Sequence, residues 1–77
     1  MSDVTVYGKP GCRPCKFTKK FLDDNGVDYE YFDVTQDADA AQLIIDQGFK
    51  AVPVVFAPNA TWNGLDEAKL EELVSSK

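Results

Sequence analysis

The fold is decided by residues 4–17, which read VTVYGKPGCRPCKF. The β-branched and aromatic side chains of residues 4–7 predict a strand. The glycines and proline of residues 8–11 predict the loop that ends it. From residue 13 to about residue 24, apolar side chains recur at helical spacing. The two cysteines of the chain therefore lie where a predicted strand gives way to a predicted helix.

The rest of the chain continues the alternation of strands and helices. Asn25-Gly26 is expected to end the first helix, and a turn is expected at residues 58–59. The further predicted elements are a strand over 28–34, a helix over 38–47, a strand over 52–56, a strand over 60–62 and a final helix capped by Asp66. The order is βαβαββα.

This order predicts an α/β domain with a four-stranded mixed sheet and three helices. The initial strand–helix–strand unit predicts a parallel pair with a right-handed crossover. The last two strands are most simply an antiparallel hairpin. With 77 residues and no internal linker or repeat, we expect residues 1–77 to form one domain.

Apolar side chains indicate which helix faces point inward. In the second predicted helix, which Thr35 or Asp37 can cap, the predicted inward face consists of Ala41, Ile44, Ile45 and Gly48. In the final helix it consists of Leu70, Leu73 and Val74.

Composition limits the class of protein. The chain is 44% hydrophobic and carries a formal net charge of −5, and an acidic chain lacks the basic face that binds nucleic acids. It has no apolar run of about 20 residues for a membrane span, and its first residues lack the features of a secretory signal. We therefore expect a cytoplasmic protein without nucleic-acid or membrane partners.

The net charge conceals an asymmetry along the chain. Residues 1–22 contain five basic side chains against one acidic, a balance of +4. Residues 23–77 contain twelve acidic side chains against three lysines, a balance of −9. The basic block surrounds both cysteines. It is either an ordinary solvated face or part of the chemistry of the site.

Cys12 and Cys15 have the spacing of a redox pair at the start of a helix. The unpaired N–H groups and the dipole of a helix N-terminus stabilise a thiolate there, and the thiolate is the nucleophile. We predict that Cys12 is the exposed attacking thiol. Cys15, one turn later, is predicted to be the resolving thiol that closes a disulfide with it. Pro14 suits the first helical turn, where a missing N–H costs little.

Three basic neighbours could strengthen this effect. Lys9, Arg13 and Lys16 are close enough in sequence to lower the pKa of Cys12, although each could equally be a solvated side chain. A zinc site would need about four cysteine or histidine ligands. The chain has two cysteines and no histidine, so we predict no metal.

Pro53 is a second feature of interest, near the start of a predicted strand. It could be a proline on an edge strand, where the absent N–H does no harm. Alternatively, a cis Val52-Pro53 bond would turn the Val52 backbone toward Cys12.

Together these residues resemble a known family. The pattern Val-Tyr-x-Lys-Pro-x-Cys-x-x-Cys of residues 6–15, the Val52-Pro53 pair and the late Gly64 are similar to the glutaredoxin branch of the thioredoxin superfamily. The resemblance implies the thioredoxin-like fold and a cis Pro53. Residues 47–55 and the Trp62-Asn63-Gly64 triplet look more specifically like NrdH-redoxins.

The NrdH-redoxin resemblance implies a protein-disulfide reductase without a bound cofactor. Its electrons would come from NADPH through thioredoxin reductase, and its target would be class Ib ribonucleotide reductase. We expect a monomer. Val52, Pro53, Trp62 and Gly64 are then candidate partner-binding residues, while Trp62 could equally be core packing.

The chain departs from the NrdH signature after Gly64, where it reads Leu65-Asp66-Glu67 in place of Phe-Arg-Pro. Asp66 falls where glutathione-using glutaredoxins often place an acid for the glutathione amine. The alternative is therefore a glutathione-dependent glutaredoxin that binds glutathione through Lys9, the Val52 backbone, Gly64 and Asp66. Asp66 is also a good helix N-cap.

Overall fold

The computed structural model describes residues 4–58 and 60–75. Asn59, in the predicted turn at 58–59, lies outside the described residues. The elements in chain order are β1 Val4–Gly8, α1 Arg13–Asp24, β2 Tyr29–Asp33, α2 Ala38–Asp46, β3 Val54–Phe56, β4 Thr61–Asn63 and α3 Glu67–Ser75. The predicted order of strands and helices is confirmed, with shifts of one or two residues at most ends.

The four strands form one mixed sheet in the order β2-β1-β3-β4. β1 pairs with β2 in parallel, as a strand–helix–strand connection requires. β1 and β3 are antiparallel, and β3 and β4 form the predicted antiparallel hairpin. This is the predicted thioredoxin-like fold. Within the described residues, no helix is long and apolar enough to cross a lipid bilayer.

One face of the sheet is covered by α1 and α3. Because side chains alternate along a strand, Val4 and Val6 of β1 point to the same face. There they pack with Leu22 of α1, Leu70 of α3 and Trp62 of β4. This cluster attaches α1, and the cysteines at its start, to the sheet.

The other face is covered by α2. Tyr7 and Val54 form its buried sheet side, and Ala40 and Ile44 form its buried helix side. The predicted inward face of α2 was wrong in part, because Ile45 is 62% exposed and Gly48 is exposed beyond the end of the helix. Asp37 caps the helix by accepting a hydrogen bond from the Ala40 N–H, 3.1 Å. From that start, the Ala40–Ile44 stripe lies on the sheet and Ile45 is rotated toward solvent.

β3 begins two residues later than predicted. Proline has no N–H to donate to a neighbouring strand, so Pro53 precedes the ladder and Val54 is its first residue. The Val52-Pro53 peptide bond is cis, as the family resemblance implied.

Candidate functional site

Cys12 is the N-cap of α1, with an extended backbone. Its carbonyl accepts a hydrogen bond from the Lys16 N–H, 3.1 Å. Its Sγ accepts one from the Cys15 N–H, 3.3 Å. Pro14, in the first turn, has no N–H to offer. A free helix N–H is therefore directed at the sulfur, where it favours a negative charge once the sulfur is reduced.

The two cysteines are joined by a disulfide, with 5.2 Å between their Cα atoms. Cys12 is 7% exposed and Cys15 is 1% exposed. The prediction of an exposed Cys12 was wrong for the disulfide form, in which Cys12 is buried because its sulfur lies against the Cys15 N–H in the first turn of α1. Cys15 is the more buried of the two, as predicted. Cys12 thus keeps more of its surface accessible to solvent than Cys15 does.

Gly8 lies beside both Cys15 and Tyr31, and neither Gly8 nor Tyr31 was predicted from the sequence as a site residue. A Cβ placed on Gly8 would contact the Tyr31 hydroxyl and lie 2.9 Å from Tyr31 Cζ and 3.0 Å from Cys15 Sγ. Glycine is therefore required by close approach, not by backbone angle. The alternation of Val4, Val6 and Gly8 on one face could have placed Gly8 beneath the cysteines. The contact with Tyr31 requires the tertiary fold.

Gly11 shapes the loop that carries Cys12. Its φ of 76° lies in the left-handed region, which glycine adopts at little cost. The chain thereby turns from β1 into the N-cap of α1 within four residues.

Pro53 and Gly64 lie together at the same end of the sheet as the cysteine loop. Tyr7 pairs with Val54, so the chain leaves β1 toward Cys12 beside the point where it enters β3 from Pro53. The Gly64 N–H donates to the Pro53 carbonyl, 2.7 Å. Pro53 is fully buried, whereas Val52 is half-buried and packs on the α2 side.

The basic residues of the amino-terminal block differ in their surroundings. Lys20 forms an ion pair with Asp24, 3.5 Å, and Lys19 Nζ lies 4.1 Å from the centroid of the Tyr31 ring. The side chains of Lys9, Arg13 and Lys16 are exposed, as is Pro14. The three exposed cations therefore lie in the cysteine loop and the first turn of α1, available to a partner.

Trp62 is a core residue. It is 7% exposed and packs with the cluster under α1 and α3. Its indole Nε1 is buried and has no hydrogen-bond partner among the described residues. Of the two possibilities that the sequence left open, the structure shows core packing.

Asp66 caps α3. Its Oδ1 accepts a hydrogen bond from the Lys69 N–H, 3.1 Å, and its carbonyl accepts one from the Leu70 N–H, 3.1 Å. The carboxylate is thus engaged with the helix of its own chain, which accounts for the acid at this position without a ligand.

Replacing Asp66 by alanine is expected to lower the free energy of unfolding by about 1 kcal/mol, because α3 loses its cap. Asp66→Ser should recover most of the loss, since serine also caps helices. Thermal unfolding of the three proteins checks this. If instead both variants kept full stability and lost only glutathione-driven activity, Asp66 would be a ligand residue.

No three acidic, cysteine or histidine side chains come together as metal ligands within residues 4–58 and 60–75. The two sulfurs of the site are bonded to each other.

Comparison with known proteins relates this site to a family. The glutaredoxin family model matches residues 4–60. The chain is 38% identical to the gene 56 protein of Mycobacterium phage D29, over 92% of this chain and 81% of that protein. It is 34% identical to the glutaredoxin-like protein NrdH of Escherichia coli K12, over 79% of this chain and 75% of that one.

The fold is likewise similar to a solved structure of the NrdH-redoxin from Escherichia coli, with a TM-score of 0.86 and 31% identity. The match covers 91% of this chain and 92% of that one, and that glutaredoxin-like protein is described as having a thioredoxin-like activity profile.

Proposed function

The chain belongs to the glutaredoxin family of thiol–disulfide oxidoreductases, and from this premise we propose that it reduces disulfide bonds in other proteins as an NrdH-type redoxin. The observation that carries the proposal is Cys12 at the N-cap of α1, with its sulfur accepting the Cys15 N–H. Cys15 lies behind it within bonding reach.

In the first step, the reduced Cys12 attacks the target as a thiolate. The N–H of Cys15 and the positive end of the α1 dipole stabilise that thiolate. The attack forms a mixed disulfide between Cys12 and one target sulfur, and the second target sulfur leaves as a thiolate.

In the second step, Cys15 attacks Cys12 Sγ. The Cys12–Cys15 bond forms, the mixed disulfide breaks, and the target leaves fully reduced. The geometry suits this step, because the disulfide form has 5.2 Å between the two Cα atoms and closes within one helical turn. Two electrons have then moved from the protein to its target.

The proposed electron source is NADPH through thioredoxin reductase, and the proposed target is class Ib ribonucleotide reductase. The thioredoxin-like activity profile of the similar Escherichia coli NrdH-redoxin supports this source. The engagement of Asp66 with α3 weakens the glutathione alternative. Lys9, Arg13 and Lys16, exposed around the cysteines, suit an acidic segment that carries the target disulfide.

Pro53 and Gly64, bonded to each other beside the cysteine loop, are the proposed backbone contacts for a partner segment. The proposed location is the cytosol, where thioredoxin and glutathione systems keep thiols reduced. We further propose that residues 1–77 act as one domain and as a monomer.

A coupled assay tests the proposed reductant. The protein and a disulfide-bearing test protein are incubated with NADPH and thioredoxin reductase, or with NADPH, glutathione and glutathione reductase. We expect NADPH oxidation roughly tenfold or more faster with thioredoxin reductase. Formation of deoxyribonucleotides by a class Ib ribonucleotide reductase in the same mixture tests the target.

The Cys12→Ser variant is the control for both mixtures, since it leaves the rest of the surface intact. Activity with glutathione alone would overturn the NrdH assignment and establish the glutathione-dependent alternative.

A further inference from the structure

The end of β1 carries no side chain between β2 and the start of α1, because residue 8 is glycine. Val4 and Val6 fill the α1 face of the sheet, and Gly8 is the next residue on that face. On the neighbouring strand β2, Tyr29 and Tyr31 point to the same side. Because β1 and β2 are parallel, with Val6 opposite Tyr31, the Tyr31 ring reaches diagonally toward Gly8.

Two groups border the space that a side chain at position 8 would occupy. The first is the Tyr31 phenol, whose hydroxyl would contact an ideal Cβ on residue 8 and whose Cζ would lie 2.9 Å from it. The second is Cys15 Sγ, which would lie 3.0 Å from the same Cβ. Glycine at position 8 is what allows the hydroxyl and the sulfur to share this space.

The resolving step requires Cys15 to become a thiolate at this buried position. Cys15 is 1% exposed, and burial in apolar surroundings disfavours a thiolate. Its neighbour Thr18 is also buried, and the Thr18 hydroxyl donates to the Pro14 carbonyl, 2.9 Å. That hydroxyl is thus engaged within α1, whereas the Tyr31 hydroxyl borders the same space beside Gly8 as the Cys15 sulfur.

We propose that the Tyr31 hydroxyl donates a hydrogen bond to the Cys15 thiolate as it forms, and so accelerates release of the reduced target. This rests on the proposed function, in which Cys15 is the resolving thiol. The Cys-x-x-Cys motif does not predict a role for Tyr31. It is brought to the site by the pairing of β1 with β2.

The charged and titratable groups around Tyr31 keep its hydroxyl a donor. Burial, and then the nearby Asp33, raise the pKa of Tyr31 above its usual value, so the phenol stays protonated at neutral pH. Tyr29 neighbours it on β2. From α1, Lys19 lies over the ring and holds it in place.

The step balances as ordinary thiol–disulfide exchange. Cys15 loses its proton to solvent, its sulfur attacks Cys12 Sγ, and the bond between Cys12 and the target breaks. The target sulfur leaves with the electron pair and takes up a proton. Tyr31 keeps its own proton throughout and stabilises the charge on Cys15 before the attack.

Stopped-flow reaction of the reduced protein with one equivalent of an aromatic disulfide, 5,5′-dithiobis(2-nitrobenzoate), separates the two steps. Attack by Cys12 releases the first coloured thiolate, and attack by Cys15 releases the second. Tyr31→Phe should raise the pH midpoint of the second release by about one unit, which makes it about tenfold slower at neutral pH. The first release should change by less than about twofold.

Tyr29→Phe is the matched control, because it removes a hydroxyl two residues away on the same face of β2. Burial and Asp23 raise the pKa of Tyr29 to about 12, so this phenol is also protonated at neutral pH. We expect neither release to change in this variant.

An unchanged second release in Tyr31→Phe would overturn the inference, and so would equal slowing of both releases, which is the mark of a structural role. Failure of the proposed function is distinguishable, because it would show as a normal first release in Cys12→Ser.

Discussion

Replacing Cys12 by serine is expected to abolish disulfide reduction, with a loss of roughly a thousandfold or more. Serine is uncharged at neutral pH, so the N–H of Cys15 would face a neutral hydroxyl in place of a thiolate. NADPH oxidation in the assay with thioredoxin reductase measures the effect. A variant that kept even a tenth of the activity would contradict the assignment of Cys12 as nucleophile.

Cys15→Ser is the matched comparison, because it makes the same atomic change one helical turn later. Cys12 can still attack, but no second thiol displaces the target, so a covalent adduct should accumulate. Mass spectrometry under non-reducing conditions should show one target molecule per chain. Such an adduct in Cys12→Ser, and none in Cys15→Ser, would reverse the two roles.

Replacing Trp62 by alanine is expected to lower the free energy of unfolding by about 3–5 kcal/mol. The indole is 7% exposed and fills the space between the sheet, α1 and α3. Small domains have a total stability of about 5–15 kcal/mol, so much of the variant should be unfolded at moderate denaturant concentration. Urea unfolding followed by circular dichroism measures this without the lost tryptophan fluorescence.

Two further variants separate packing from docking. Trp62→Phe keeps most of the packed surface and removes an indole N–H without a partner among the described residues, so activity should be retained. Leu65→Ala alters a side chain that is 44% exposed nearby, and the unfolding free energy should change by about 0.5 kcal/mol or less. Normal stability of Trp62→Ala with a raised KM for thioredoxin reductase would instead identify Trp62 as a docking residue.

Much of the site could be predicted locally because its parts are adjacent in sequence. Cys12, Pro14 and Cys15 occupy one helical turn, so the N-cap hydrogen bond follows from spacing alone. Asp66 could be recognised as a cap for the same reason. The cis bond at Pro53 was less accessible, since local sequence gives proline only a small cis preference. The family resemblance supplied it.

The inward face of α2 shows where periodicity fails. The spacing of Ala41, Ile44 and Ile45 predicts one apolar face of the helix, yet Ile45 is largely exposed in the structure. The stripe that is buried depends on where Asp37 starts the helix and on how the helix lies on Tyr7 and Val54. The spacing of apolar residues in the sequence does not predict how the helix is rotated about its axis against the sheet.

The sequence by itself determined the order of the elements and the redox pair at the first strand–helix junction, because hydrophobic period, capping and Cys-x-x-Cys spacing act over a few residues. Tertiary structure alone decided that Trp62 is core and that Cys12 is largely covered in the disulfide form. It also brought Tyr31 and Cys15 to the same space beside Gly8. These depend on the register of β1 with β2 and the seating of α1 on the sheet, which join residues far apart in the chain.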